Sequence, residues 1–363
     1  MDDKLKFLLE STARLTQERH LGSILIQLAD ITCELLEADR ASIFLHDPSR
    51  KELWTVVAHG VEEIRIPDTV GIAGSVHSTG QVIQLDDAYQ DARFDPEIDR
   101  STGYRTQTML AYPLRHQEGH IIGVFQIINK KNSARFNPDD VQLLSHLSLY
   151  VSSTLQNAIL TEQLMRAQED AIYRLSWATK YKDPETRNHI VRVGLYAEVM
   201  AKCIGWKSTE REMIRLAAPM HDIGKVGIPD AILQKPSNLT GEEWAVMRRH
   251  SQYGYDILQS DKSGLMQMAS NAALDHHEKW NGTGYPNHKQ GHVISMEGRL
   301  TAISDVFDAL TSKRCYKDAW PYTKTKDLII SESGHHFDPL LVEVFCDVFK
   351  EITHIREEYR DEG

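Results

Sequence analysis

Apolar residues recur at helical spacing from Leu21 to Leu36 (Leu21, Ile24, Leu25, Leu28, Ile31 and Leu35), which predicts an amphipathic helix. The period then changes. Ala41–His46 and Leu53–Ala58 read as two strands joined by the polar turn Asp47-Pro48-Ser49-Arg50. Gly71–Val76 predicts a glycine-hinged loop entering a short helix, and strands around Met109–Leu114 and Ile121–Asn129 flank a polar hairpin at His116–His120. From Pro138 the pattern turns helical and stays so. Asn137 suits the N-cap, Pro138 the first helical position, and Asp139-Asp140 the positive end of the helix dipole. No Gly or Pro interrupts the run until Pro184, and Leu144, Leu147, Val151, Ala158, Met165, Ile172 and Leu175 form a heptad-like stripe, broken by Thr154, Thr161 and Gln168. The stripe suits a parallel dimeric connector, the reading preferred, or one long helix packed on its own domains. Beyond about Trp177 the chain reads as helices and loops. Thr209 with Glu212 and Thr240 with Glu243 have the spacing of capping boxes.

Composition narrows the class. The chain has 363 residues, 41% hydrophobic and 26% charged, which suits two globular domains of ordinary size. A net charge of -11 argues against nucleic acid as a partner, so an anionic ligand would need local cations. Cys33, Cys203, Cys315 and Cys346 form no CxxC pair and read as free thiols. No stretch is apolar enough to span a membrane, and the charged start MDDKLKFLLE lacks a signal-peptide profile, so a cytoplasmic protein is expected.

The amino-terminal order of helix, meander strands and a GIAG-type segment, followed by TMLAYPLRHQEGHIIGVFQIINKKNSARFNPDDVQLLSHLS, resembles a GAF domain over roughly residues 20–160. The resemblance implies a sensory and dimerisation module around a central antiparallel sheet. Asn129-Lys130, Phe136 and Asp140 match the signature of cyclic-nucleotide-binding members, but Val141 stands where that signature has Glu. A GAF fold used for dimerisation, with an unknown ligand or none, is the expectation.

The second half carries a set of nitrogen and oxygen donors. Glu185 and His189 are one turn apart on one helix face, after Asp183-Pro184 as a helix start. His221-Asp222 reads as a helix end before Gly224, His250 as a helix end after Arg248-Arg249, and His276-His277 follow the apolar run Ala269–Leu274. Asp305 lies in the apolar segment Arg299–Leu310, where a carboxylate needs a partner. Each alone has a plainer reading: a capping or surface His, or Asp305 as an ion-pair partner of Arg299. Together they suit two or three divalent metals sharing bridging carboxylates, a chemistry that activates water against phosphate esters.

The words HDIGKVGIPDAILQKP, MRRHSQYGYDIL, HHEKWNGTGYP and AISDVFDALTSKRCYKDAW closely resemble the HD-GYP domain over roughly residues 170–355. The resemblance implies an all-α hydrolase in signal transduction, a phosphodiesterase that opens cyclic di-GMP to pGpG and in some members on to GMP. The implied metal positions are His189, His221, Asp222, His250, His276, His277 and Asp305, with iron or manganese as the usual ion. Glu185 is implied to add a third ion, the count favoured over two. Arg187 stands where many members have Gly. The expected mechanism is in-line attack by a metal-bridging hydroxide, with Asp222 as the bridge and Lys225 on the phosphate. Arg314, Lys317 and Tyr285 are further substrate-contact candidates, and Trp280 or Tyr285 either stacks on guanine or pins its loop. The expected chain is thus an α+β GAF domain (residues 1–160) joined by a helix (138–180) to an all-α HD-GYP domain (170–363). It is expected to work as a homodimer on cyclic di-GMP. The readings kept beside this one are a non-catalytic cyclic di-GMP receptor and a phosphohydrolase of another cyclic dinucleotide.

Overall fold

A computed structural model describes residues 21–55, 64–133, 135–180, 187–313 and 318–361. The chain divides into two compact units, Met1–Met165 and Arg166–Gly363. In the first, helix α1 (Leu21–Leu35) precedes strands β1 (Ala38–Asp47), β2 (Glu52–Thr55) and β3 (Ile64–Pro67). Helix α2 (Gly71–Thr79), β4 (Ile83–Leu85), the short α3 (Glu97–Thr102), β5 (Met109–Arg115) and β6 (Ile121–Lys130) follow. The six strands form one antiparallel sheet in the order β3-β2-β1-β6-β5-β4. The GAF expectation of helix and antiparallel meander holds. Two short strands, β3 and β4, went unrecognised in the sequence, and the end of the second expected strand lies outside the described residues.

The central strand explains why its sequence reads as a continuous apolar run. Successive strand side chains point to opposite faces. Ile43 and Leu45 pack with α1 and with Leu144, Val151 and Leu155, while Phe44 packs with Ile72, Ala73 and Val76 of α2 on the other face. The nucleotide-signature residues serve this fold. Asn129 Oδ1 accepts from the amides of Gln107 and Thr108, and Lys130 pairs with Asp140 at the head of the long helix.

That helix, α4 (Pro138–Lys180), is continuous, with Asn137 Oδ1 accepting from the amide of Asp139 as expected of an N-cap. It joins the α+β unit to a predominantly helical one. The second unit contains α5 (Arg187–Cys203), α6 (Ser208–Ala217), α7 (Asp230–Leu233), α8 (Gly241–Met247), α9 (Arg249–Leu258) and α10 (Gly264–Asp275). It ends with α11 (Met296–Thr311), α12 (Tyr322–Ser331), α13 (Pro339–Asp347) and α14 (Phe349–Glu358). Its core gathers Val193, Tyr196, Met200, Leu300, Ile303 and Phe307, with Ile172 from α4. The capping box Thr240–Glu243 forms. The one expected at Thr209–Glu212 does not: α6 starts earlier, and Glu210 accepts from the Lys207 amide at 2.9 Å. Among the described residues no helix is long and apolar enough to cross a membrane, and Cys33, Cys203 and Cys346 are free thiols.

Candidate metal centre

Three of the histidines are aimed by one device. Helix ends leave carbonyls without intrahelical partners, and each imidazole folds back onto the carbonyl three residues before it. His221 Nδ1 donates to Ala218 (2.8 Å), His250 Nδ1 to Met247 (2.8 Å) and His276 Nδ1 to Ala273 (2.9 Å). A carbonyl can only accept, so the proton sits on Nδ1 and the Nε2 lone pair points inward. His189, in the first turn of α5, uses a carboxylate instead: its Nδ1 lies 2.8 Å from Asp308 Oδ2. His250 differs from expectation. The helix breaks at Arg248, and His250 opens α9 rather than closing the helix before it.

The inward atoms form two groups, Asp222 with His250, His276 and His277, and Asp305 with His189 and His221; within each, the donor atoms lie within 4.8 Å of one another. Asp222 stands between them. Its Oδ1 is 3.5 Å from His250 Nε2 and 3.8 Å from His276 Nε2, and its Oδ2 is 3.2 Å from His221 Nε2. Asp305 Oδ1 is 3.6 Å from His189 Nε2 and 3.9 Å from His221 Nε2. Lys225 is salt-bridged to Asp222 Oδ2 at 2.8 Å.

These residues fit a metal. Donors held about 2.1 Å from one ion lie roughly 3.0–3.5 Å apart, close to the spacings found. His250 Nε2 and His276 Nε2 face each other at 3.4 Å, two lone pairs that a cation would reconcile. Burial holds His250 below the ordinary imidazole range and His276 and His277 well below it, so these rings stay neutral, as ligands must be.

Close backbone approach sets the geometry. Gly224 was expected as a helix stop, but its role is contact: a Cβ there would lie 1.9 Å from the His250 carbonyl oxygen. Only glycine lets the His221-Asp222 turn approach α9 this closely.

Several further groups escaped sequence reasoning. Asp308, wholly buried, accepts from Arg192 Nε (2.6 Å) and Nη2 (2.7 Å) as well as from His189. Burial would raise its carboxyl, but Arg192 and His189 outweigh that and hold it far below the usual carboxylate range. Asp275 and Glu278, flanking the His pair, clamp the following loop: Asp275 accepts from Lys289 Nζ (2.7 Å) and the Ser295 amide (2.9 Å), and Glu278 from the Asn287 amide (2.7 Å). Tyr285 packs on His277 with ring centroids 4.7 Å apart, under the Arg248 guanidinium at 5.2 Å. Trp280 packs instead against His292 and Arg299. Arg299 pairs with Asp338, not Asp305. Glu185, Arg314 and Lys317 lie outside the described residues, as does the expected helix start at Asp183-Pro184.

Comparison with known proteins agrees with both units. The HD domain profile matches residues 173–341 and the GAF domain profile residues 20–155. A 3'3'-cGAMP-specific phosphodiesterase 2 of Vibrio cholerae is 42% identical over 61% of this chain and 42% of its own length. A cyclic di-GMP phosphodiesterase of the same organism is 36% identical over 70% of this chain and 54% of its own. A cyclic di-GMP phosphodiesterase of Thermotoga maritima is 38% identical over 55% and 56%. The chain thus spans about half the length of these curated relatives.

Proposed function

From a chain that joins an N-terminal GAF domain to a C-terminal HD domain, homologous to several cyclic di-GMP phosphodiesterases of the HD-GYP family, we propose a metal-dependent cyclic di-GMP phosphodiesterase under GAF control. The observation that carries it is the two-sided carboxylate of Asp222, one oxygen toward each donor group. His189, His221 and Asp305 would hold one ion and His250, His276 and His277 another, with Asp222 common to both. When bound, divalent ions supply a water acidic enough to attack at neutral pH and positive charge for phosphate oxygens.

The residues do the remaining work. The Lys225 ammonium, beside Asp222, meets a phosphate oxygen; Tyr285 holds His277 and, with Arg248, forms a rim for a base. Water adds across one P–O3′ bond: its oxygen stays on phosphorus, its proton leaves with the 3′ hydroxyl, and pGpG results, with GMP as a possible second product. Iron or manganese is the ion proposed. Three ions per chain are favoured, because Glu185 stands one turn before His189 in sequence; Glu185→Ala with metal analysis tests this, and an unchanged content removes Glu185 from the site. Arg314 and Lys317 remain proposed phosphate contacts. A cytoplasmic homodimer through the GAF domain and α4 is proposed; exposed Leu160, Leu164 and Met165 along that helix support the pairing, although Leu144, Leu147, Val151 and Ile172 of the heptad-like stripe are buried within the chain's own units. Sedimentation of the full chain tests it, a monomer sinking the reading.

The test of activity is purified full-length protein with cyclic di-GMP, with and without Fe(II) or Mn(II), followed by chromatography. No pGpG or GMP under any metal condition would leave a non-catalytic receptor. The 42% identity to a 3'3'-cGAMP-specific enzyme favours a second reading in which another cyclic dinucleotide is the better substrate. Running 3'3'-cGAMP in parallel decides between them by relative kcat/KM.

A further inference from the structure

We propose that His46, Asp68 and His77 form a second metal site, inside the GAF domain, for one divalent transition ion. Their donor atoms lie within 4.8 Å of one another, although the residues come from three different elements. His46 is the penultimate residue of β1, Asp68 follows β3, and His77 lies on α2. His46 Nε2 is 3.2 Å from Asp68 Oδ2, and the two imidazole centroids are 4.1 Å apart with planes tilted by 44°.

The fold brings these groups together for stated reasons. His46 is two residues beyond Phe44, so the strand period turns it to the same face, toward α2. On that face Phe44 packs with Val76, the residue before His77. Asp68 is fixed from the other side by its amide, which donates to the Lys51 carbonyl at 3.0 Å. Gly74 presses α2 onto the loop behind Asp68: a Cβ there would lie 2.5 Å from the Thr69 carbonyl carbon. Three side chains on a strand, a loop and a helix therefore converge on one point.

The donor set defines the ligand. Two imidazoles and one carboxylate, with no thiolate, suit zinc, nickel, cobalt or iron(II) and leave coordination positions open. His46 and Asp68 are 19% and 20% exposed, so an ion can reach them. Occupancy would tie β1, the β3 loop and α2 to one another, and the open positions would accept a small exogenous ligand. This site stands apart from the question of hydrolysis. It also differs from the His116, Glu118 and His120 group, which sits on the exposed turn between β5 and β6, closed by local backbone hydrogen bonds.

The experiment is metal content of full-length protein, stripped by chelation, reloaded with Zn(II) or Co(II) and desalted. The centre in the HD domain contributes equally to every variant, so the difference isolates the GAF site. Asp68→Asn should hold one equivalent fewer than wild type and lose the matching Co(II) absorption. The pair His116→Ala with His120→Ala should retain it. Equal content in Asp68→Asn and wild type overturns the proposal, as does loss of the equivalent from the hairpin pair alone. Should Asp68→Asn alter the circular dichroism of the protein, His77→Gln takes its place under the same two outcomes.

Discussion

Asp308→Asn tests whether the candidate metal centre depends on a group that touches no metal. The wild-type carboxylate accepts from Arg192 twice, from His189 Nδ1, and from Tyr196 Oη at 3.1 Å. The amide keeps the shape but loses the charge, and it turns an acceptor into a donor facing Arg192 or His189. Arg192 retains Asp361 at 3.0 Å and the Tyr359 carbonyl at 2.7 Å. The stability loss therefore falls toward the lower end of the about 3–5 kcal/mol expected when a buried ion pair loses one partner. His189 loses the acceptor that fixes its tautomer, and such outer partners are worth about 10–100-fold in metal affinity, or roughly 1.4–2.8 kcal/mol. Urea unfolding of the metal-free protein gives the first quantity, and competition for Mn(II) against a chelator the second. An Asn variant with wild-type metal affinity would refute the claim that Asp308 aims His189. A variant with wild-type stability would refute the buried-pair argument.

Other expectations follow from the same geometry. Gly224→Ala puts a methyl into the His250 carbonyl, so it should cost about 1–3 kcal/mol or more and lower metal content; full metal occupancy would show that the turn can give way. Tyr285→Phe keeps the ring on His277 and should keep metal content, whereas Tyr285→Ala should lower it, the ring pair alone contributing about 0.5–1.5 kcal/mol; equal content in both variants would remove Tyr285 from the support of the site. His336 is pushed down to about 4 by burial and by nearby Lys279, while an unfolded His titrates near 6.5. The unfolded chain therefore takes up a proton that the folded chain refuses. This contribution is fully present above about pH 6.5 and is lost as pH falls toward 4, with a slope of at most about 1.4 kcal/mol per unit. His336→Gln should flatten that part of the stability profile, measured by urea unfolding of metal-free protein; an unchanged slope would refute the assignment.

The donor residues were legible in the sequence because His and Asp carry their chemistry wherever the backbone places them. How they are aimed was not. Asp308 lay one turn from Asp305 in the same apolar helix, and the argument that a buried carboxylate needs a partner applied equally to it. Its partner Arg192 is more than a hundred positions away, however, and looks like a surface residue on an amphipathic helix. Arg299 was a fair local partner for Asp305, but the fold gave it Asp338 across 39 positions. His250 read as a helix end because Arg248-Arg249 resembles basic termination, whereas the break at Arg248 makes it a beginning. Strands of three and four residues, β4 and β3, are too short to show a period. At α6 the N-cap is Lys207, whose side chain can accept no hydrogen bond, so only the Glu210 half of a capping box forms and the residue types pointed instead to Thr209 with Glu212.

The buried polar groups around His221-Asp222 lead to one more expectation. Such groups are costly unless paired, and here the pairing is directional. The Nδ1 atoms of His189, His221, His250 and His276 are satisfied by carbonyls or Asp308, Glu278 by backbone amides, and Asp275 by Lys289 and Ser295. What these bonds leave turned inward are acceptors: imidazole lone pairs and the carboxylates of Asp222 and Asp305, with Lys225 salt-bridged to Asp222. A concentration of acceptors needs positive charge to be stable as built. Ions that bind only the folded unit add about 2.7 kcal/mol when free metal is a hundredfold above Kd. Chelation should therefore lower the melting transition of the HD unit, and Mn(II) should restore it. Asp222→Ala, which removes the carboxylate common to both groups, should abolish the Mn(II) response. A transition that ignores chelator in wild type would mean that the inward acceptors are stabilised by something other than metal.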